Sequence, residues 1–464
     1  ARPITVALAG LCALAVAMGI GRFAFTPLLP MMLHDGVVNL ATASWLATAN
    51  YIGYLVGAVL CALLPTLVAR WPGGATMPAP ARLVRLGLAA TVLLTLGMAA
   101  PWAAGWPTLR FLAGVASAFV FVQTSGWCLA RLAALGKPTW GGLIYMGPGL
   151  GIALSGLAAS AMVVDGWAAA SGWAVFGVLA LLLTAGIWRI FNGPAVTAAT
   201  QANTTPPAAT HGAAECGFFA LAYGLSGLGY IVTATFLPVI ARQALPGSVW
   251  LDLFWPLLGL GVALGAFLST RLPHHIDRRR LLVGCYAMQA MGVLLSVWWP
   301  SLPGFALGSL LVGLPFTAIS FFGMQEARRL RPAQAPAFMG QLTAVYGLGQ
   351  IIGPPMVALL LQHSANVGQG FARGLESAAG ALVLGAVLLA WLTYRSVEQP
   401  IRRAASTRSA AVLTVLAVAI GVVAAQWLGT DDLNRYGEVT LRYGGYDYHS
   451  NLPKVALLSV IGVL

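Results

Sequence analysis

Two arginines stand inside apolar runs, where a charge is costly. Arg22 lies in "GIGRFAFTPLLP", from Gly19 to Pro30, and Arg110 opens "RFLAGVASA". A charge at membrane depth costs at least about 2.5 kcal/mol by insertion scales, so each needs a partner or a task. A guanidinium presents a planar fork of donors that can hold and orient a carboxylate. Two roles fit Arg22. One is contact with an anionic substrate or a coupling group. The other is structural: Pro27 and Pro30 cannot donate to the carbonyls of Phe23 and Thr26, and a nearby arginine could satisfy such groups or reach Asp35. Acids are scarce, 12 in 464 residues. Asp35, Asp165 and Asp252 fall near helix ends on one side, and Glu326 near an end on the other.

Polar and aromatic side chains supply the remaining candidates. Asn50 and Tyr54 are four apart, as are Gln123 and Trp127, so each pair shares a helix face. Tyr145, Tyr346 and Gln350 lie beside Gly-Pro elements, and Tyr230 and Trp255 belong to the second half of the chain. Singly, each also reads as helix packing or an interfacial aromatic. Together they make a mixed aromatic and amide pocket of the kind that binds small molecules. Gly147-Pro148 and Gly353-Pro354 each combine close backbone approach with a missing donor, which makes a deformable point or a static kink. No GxxxxGK[ST] sequence is present, so an ATP-driven engine is not expected. The cysteines all fall in apolar runs, and His274-His275 has no nearby third ligand. The sequence therefore points to neither an enzyme, a metal site nor a cofactor.

The elements that must position these groups are membrane helices. The chain is 59% hydrophobic and 8% charged, unlike a water-soluble globule. Apolar runs long enough for a hydrocarbon core of about 30 Å fall at 4–32, 44–68, 84–103, 108–131, 141–164, 168–190, 216–241, 249–271, 281–300, 303–327, 337–362 and 373–395. Arg22 sits about 27 Å along the first run at about 1.5 Å per residue, past the midplane. With the N-terminus inside, most basic residues, among them Arg82, Arg85, Arg131, Lys137, Arg189, Arg328 and Arg329, fall on cytoplasmic segments. That bias follows the positive-inside rule and explains a net charge of +13 without nucleic acid.

The expected organisation is an N-terminal six-helix half (1–191), a Pro/Thr/Ala-rich cytoplasmic linker (192–214) and a C-terminal six-helix half (215–398). The halves repeat. Gly19 matches Gly227 at an offset of 208, Trp45 matches Trp250 at 205, and Gly147-Pro148 matches Gly353-Pro354 at 206.

Two parallel six-helix halves with a long central loop resemble the major facilitator superfamily. Arg110 four residues before Gly114 resembles the superfamily's fourth-helix motif, with Ala113 in place of its usual glutamine. The stretch from Gly147 to Gly151 resembles the motif associated with antiporters. "RLPHHIDRRRLL", with Asp277, Arg278, Arg279 and Arg280, resembles the loop motif that gates the cytoplasmic side. "GIGRFAFTPLLPMM" with "YIGYLVGA" looks like the YbfB/YjiJ branch of bacterial transporters. The resemblance covers about 1–398. It implies an all-α bundle in the bacterial inner membrane that moves a small organic solute by alternating access. A proton-coupled, export-directed carrier of an organic anion is the sharper version. The lipid bilayer, the solute and protons are the implied partners.

Residues 404–464 form a separate unit in this reading: a further span at 410–428, a hairpin around Gly444-Gly445 and a last apolar run from 453. This weakly resembles the N-terminal membrane hairpin of HemY-type proteins. It leaves open a fragment, a fusion or an accessory hairpin, and with it a rival function as a non-transporting scaffold or haem-biosynthesis accessory.

Overall fold

The computed structural model describes residues 2–69, 78–137, 140–192, 212–245, 250–272, 276–331 and 335–394, together with two short strands. Among these residues, 11 helices are long and apolar enough to cross a membrane. In the first half they are Pro3–His34, Leu40–Leu64, Pro80–Gly97, Ala103–Ala134, Gly141–Val164 and Ala169–Ile187. In the second they are Ala213–Ala244, Arg278–Trp298, Leu302–Leu330, Phe338–Gln362 and Val367–Thr393. The eighth span is the exception, an apolar helix only from Phe254 to Ser269. Its 16 residues give about 24 Å of α-helix. The tighter turn Leu251–Leu253 adds about 6 Å, which brings it to bilayer thickness.

Small residues set how the spans meet. In lipid the attraction between helices comes from close packing, so glycine at a crossing lets two backbones touch. A Cβ at Gly53 or Gly114 would collide with the backbone between the second and fourth spans. Gly265 and Gly313 do the same between the eighth and tenth. The repeat read from the sequence is therefore also a repeat of packing. Across the halves, the fifth span runs beside the eighth and the second beside the eleventh.

At the end away from the linker the bundle is packed shut. Residues 16–32 of the first span and 229–241 of the seventh are buried on every face. Hydrogen bonds cross between the halves here. Thr26 Oγ1 donates to the Ala234 carbonyl at 2.8 Å, and the Tyr51 and Thr235 hydroxyls are 2.9 Å apart. Exposed tryptophans ring this end, Trp45, Trp102, Trp167, Trp250, Trp298 and Trp299. Amphipathic indoles settle at a membrane interface in this way.

Two expected spans are not continuous helices. The first changes to a π-helical turn at Ala15–Ile20 and resumes as α-helix only at Phe25–His34. The fifth breaks at Tyr145 and Met146 and restarts at Gly147. Strands Leu441–Tyr443 and Tyr446–Tyr448 pair antiparallel, Leu441 opposite Tyr448. The rest of the expected 404–464 unit, with Gly444-Gly445, His274-His275 and most of the 192–214 linker, lies outside the described residues.

Candidate substrate site

The site begins with the break in the first span. Gly21 N–H reaches Val16 O at 2.9 Å and Phe23 N–H reaches Met18 O at 3.0 Å, the longer step of a π-turn. Thr26 N–H then turns to Phe23 O at 3.1 Å, so the Arg22 carbonyl loses its usual helical donor. Pro27 and Pro30 follow and withhold two more. Open carbonyls in a membrane must be satisfied by neighbours. Arg110 does this: its Nη2 donates to Arg22 O at 3.0 Å and its Nη1 to Gly21 O at 3.3 Å. The arginine that serves the broken backbone is thus Arg110, and the carbonyls are those of Gly21 and Arg22. Arg110 is itself buried, lies 4.9 Å from the Phe25 ring centroid, and has its carbonyl held by Asn50 Nδ2 at 2.9 Å.

Arg22 is left free to face inward. Its Nη2 donates to Gln350 Oε1 at 2.5 Å, and Gln350 Nε2 donates to the Tyr230 hydroxyl at 2.7 Å. Aromatic faces surround the guanidinium. Its carbon lies 4.0 Å from the Tyr54 centroid, 5.3 Å from Tyr51 and 5.2 Å from Phe23. Such contacts contribute about 0.5–2 kcal/mol each, comparable with the insertion cost of the charge. Among the described residues no carboxylate forms an ion pair with Arg22 or Arg110. Asp35 is engaged elsewhere, accepting from Ala169 N–H at 2.7 Å at the start of the sixth span.

The wall continues into the second half. Tyr346 stacks on Tyr230 at 5.8 Å, and Phe316 meets Tyr230 edge-on at 4.8 Å. Phe23 touches both Phe316 and Trp255, at 6.2 and 6.4 Å. Arg22, Tyr54, Tyr230, Trp255, Tyr346 and Gln350 therefore form one constellation, with Asn50 and Arg110 behind it. Phe23, Tyr51, Thr26 and Phe316 are members the sequence reading did not select. The repeat carried a signal for part of this, since the offset of 208 that pairs Gly19 with Gly227 also pairs Arg22 with Tyr230 and Thr26 with Ala234.

Three candidates make other contacts, toward the linker end. Trp127 packs on Phe191 at 4.9 Å and under Arg131 at 5.9 Å. Tyr145 packs on Phe121 at 6.1 Å, and half-buried Gln123 lies beside the Cys61 thiol.

The Gly-Pro elements differ. Gly147-Pro148 starts the helix that follows the break, and a Cβ at Gly147 would collide with the Leu11 carbonyl. Gly149, on the other side of the same helix, meets the backbone of Gly259 and Ala263 in the other half. Gly353-Pro354 lies inside an unbroken helix, Ala335–Gln362, against the side chain of Ile231.

The candidate gate residues build a charge cluster within the second half. Asp277 caps the ninth span, accepting from Arg279 N–H at 2.8 Å and Arg280 N–H at 3.2 Å. Arg279 is fully buried and pairs with Glu326 at 2.5 Å and Glu215 at 2.6 Å, and it donates to Leu392 O at 3.2 Å. Arg329 adds a 3.4 Å contact to Glu326. Arg278 lies 6.0 Å from the Phe322 ring. The seventh, ninth, tenth and twelfth spans are joined at one point.

Comparison with known proteins agrees with this architecture. Residues 14–390 match the family described as "Uncharacterised MFS-type transporter YbfB". A chloramphenicol resistance protein of Streptomyces lividans is 30% identical over 389 residues, 79% of this chain and 92% of that protein. Among solved structures, a point mutant of the nucleoside transporter NupG has a TM-score of 0.65, and another NupG structure has 0.59. Both are 14% identical, cover 84% of this chain, and are themselves covered over 99% and 98%. At that identity the likeness shows the fold alone. Since the family match spans both halves and the candidate site between them, this chain belongs to the YbfB-type family of the major facilitator superfamily and is a multi-pass membrane transporter.

Proposed function

We propose that the protein exports a small aromatic solute bearing a carboxylate, or an acceptor of the same planar two-oxygen shape, by alternating access in the bacterial inner membrane. The N-terminus and the linker are cytoplasmic in this reading, supported by the arginine-rich loops of the sequence. The carrying observation is Arg22, a buried cation between the halves whose hydrogen-bond acceptor is a neutral amide. Arg110 is a positioning residue here, holding the broken backbone that aims Arg22. The aromatic wall formed by Tyr54, Tyr230, Tyr346, Phe316 and Trp255 suits a flat ring. The relative described as a chloramphenicol resistance protein supports the outward direction, and a nitrophenyl group such as chloramphenicol carries is a flat ring with a two-oxygen acceptor. Proton exchange as the driving force is supported by the Gly147-Pro148 motif. No carboxylate among the described residues forms an ion pair with Arg22.

The test is thermal stabilisation of the purified protein by benzoate, chloramphenicol and benzylammonium, beside Arg22→Gln. A bound ligand stabilises in proportion to the logarithm of its concentration over Kd. Benzoate and chloramphenicol are expected to stabilise the wild type and benzylammonium to do nothing. Loss of a charge-assisted contact, about 1.5–3 kcal/mol, weakens benzoate binding by about ten- to a hundredfold in Arg22→Gln. Equal responses from the two proteins would remove Arg22 from the site.

A further inference from the structure

The Arg22 contact is half made. Nε and Nη2 lie on the same edge of a guanidinium, the edge that grips a carboxylate side-on. Nη2 donates to Gln350 Oε1, but Nε is buried without a partner. The reason is chemical. A primary amide has the planar shape of a carboxylate, but its second heteroatom is a donor. It cannot accept from Nε, and instead gives its hydrogen to Tyr230.

We infer that the Gln350 side chain is a built-in stand-in for the acceptor group of the substrate, displaced from Arg22 when substrate binds. This rests on the reading of Arg22 as the substrate-facing charge. A two-oxygen acceptor engages both Nε and Nη2, which an amide cannot do, so displacement fills the Arg22 donor that the resting site leaves unmet. The same event breaks a tie between the halves. Gln350 bridges Arg22 in the first span to Tyr230 in the seventh, and these two are repeat mates at an offset of 208. Thr26 and Ala234, joined one turn further out, are mates at the same offset. The bridge therefore sits where the two halves face one another.

The backbone under Gln350 is built to yield. An α-helical N–H bonds to the carbonyl four residues earlier. Pro354 and Pro355 have no N–H, so the carbonyls of Gln350 and Ile351 lose their helical donors. Movement of this turn breaks no ladder bond at either carbonyl. Substrate selection follows from the same geometry. Acceptors with two oxygens in one plane displace the amide, whereas a single hydroxyl reproduces only the bond that Gln350 already makes.

Gln350→Ala and Gln350→Glu test this in the full chain, with two readouts. Benzoate affinity is measured by thermal shift. The distance across the closed end is measured without ligand, by pulsed electron resonance between spin labels at Val37 and Val367, exposed positions on opposite halves. Gln350→Ala is expected to bind benzoate about tenfold more tightly and to broaden the distance distribution. Gln350→Glu supplies the full two-oxygen contact from within, so it loses the benzoate response and keeps a single short distance. Gln350→Met preserves volume and replaces Gln350→Ala should the latter not fold. If Gln350→Ala binds benzoate more weakly while the wild type binds it well, Gln350 is a direct ligand contact. The stand-in is then overturned and the reading of Arg22 survives. If neither wild type nor Gln350→Ala responds to benzoate, the reading of Arg22 fails and takes the stand-in with it. An unchanged distance distribution in Gln350→Ala overturns the tie.

Discussion

The first and seventh spans are the same element used twice, and they fold differently. Both carry G-x-G before the central position, Arg22 in one and Tyr230 in the other. The seventh runs unbroken from Ala213 to Ala244, whereas the first opens into a π-turn and four irregular residues before Phe25. The buried Tyr230 needs one hydrogen-bond partner, which an intact helix permits. In the first span the break exposes carbonyls, and a second arginine satisfies them. The linker ends differ in the opposite sense. The second half buries Arg279 against Glu326 and Glu215. The positions 208 earlier than these glutamates are Ala7 and Ala118, so the repeat carries no carboxylate at either place in the first half. One half buries its charge where the two halves meet, the other among its own helices.

The largest effect expected from this contrast is at Arg279. Arg279→Met leaves Glu326 and Glu215 without their guanidinium, and breaking a buried pair costs about 3–5 kcal/mol. Monodisperse protein on size-exclusion chromatography should be largely lost. Adding Glu326→Leu and Glu215→Leu should restore much of it, because the carboxylates that lost Arg279 leave with it. A triple variant as unstable as the single one would show that the cluster acts through its shape and not its charge.

The two intramembrane arginines should separate next. Arg110→Met strips donors from two buried carbonyls, each costing about 1–3 kcal/mol, so the apparent melting temperature should fall clearly. Arg22→Gln removes a charge held by a neutral amide and aromatic faces, so stability should change by no more than about 1.5 kcal/mol while benzoate binding weakens about ten- to a hundredfold. Matching stability losses would erase the division between a positioning and a substrate-facing arginine.

The smallest difference is expected at the Gly-Pro pairs. A methyl at Gly147 meets the rigid carbonyl of Leu11, whereas one at Gly353 meets the end of the Ile231 side chain, which can rotate. Overpacking costs about 1–3 kcal/mol. Gly147→Ala should lower the melting temperature more than Gly353→Ala. Equal shifts would mean that the break at Tyr145 and Met146 gives no added sensitivity.

Much of the fold was readable from composition alone, because a span must be apolar for about 20 residues whatever it packs against. The eleven long helices and the short eighth one begin and end within about six residues of the runs expected. The candidate site was half readable. Arg22 and Arg110 stand out because a charge in an apolar run has no cheap explanation. Tyr54, Tyr230, Tyr346, Trp255 and Gln350 were selected as polar or aromatic groups on helix faces, and the fold gathers them around Arg22. Gln123, Trp127 and Tyr145 passed the same criterion and make contacts elsewhere. Helical periodicity gives the face of a residue but not its depth relative to a group on another helix.

The sequence by itself determined the twelve spans of the two halves, their two-fold repeat and the presence of cations within them. These follow from hydropathy, from offset and from the cost of burying charge, all of which act along the chain. Only the tertiary structure decided which arginine faces its own backbone and which faces the interior. That choice depends on a break after the π-turn, where the carbonyls of Gly21 and Arg22 find donors in the fourth span. It also depends on Gln350, 328 residues from Arg22, reaching across between the halves, a distance no local pattern encodes.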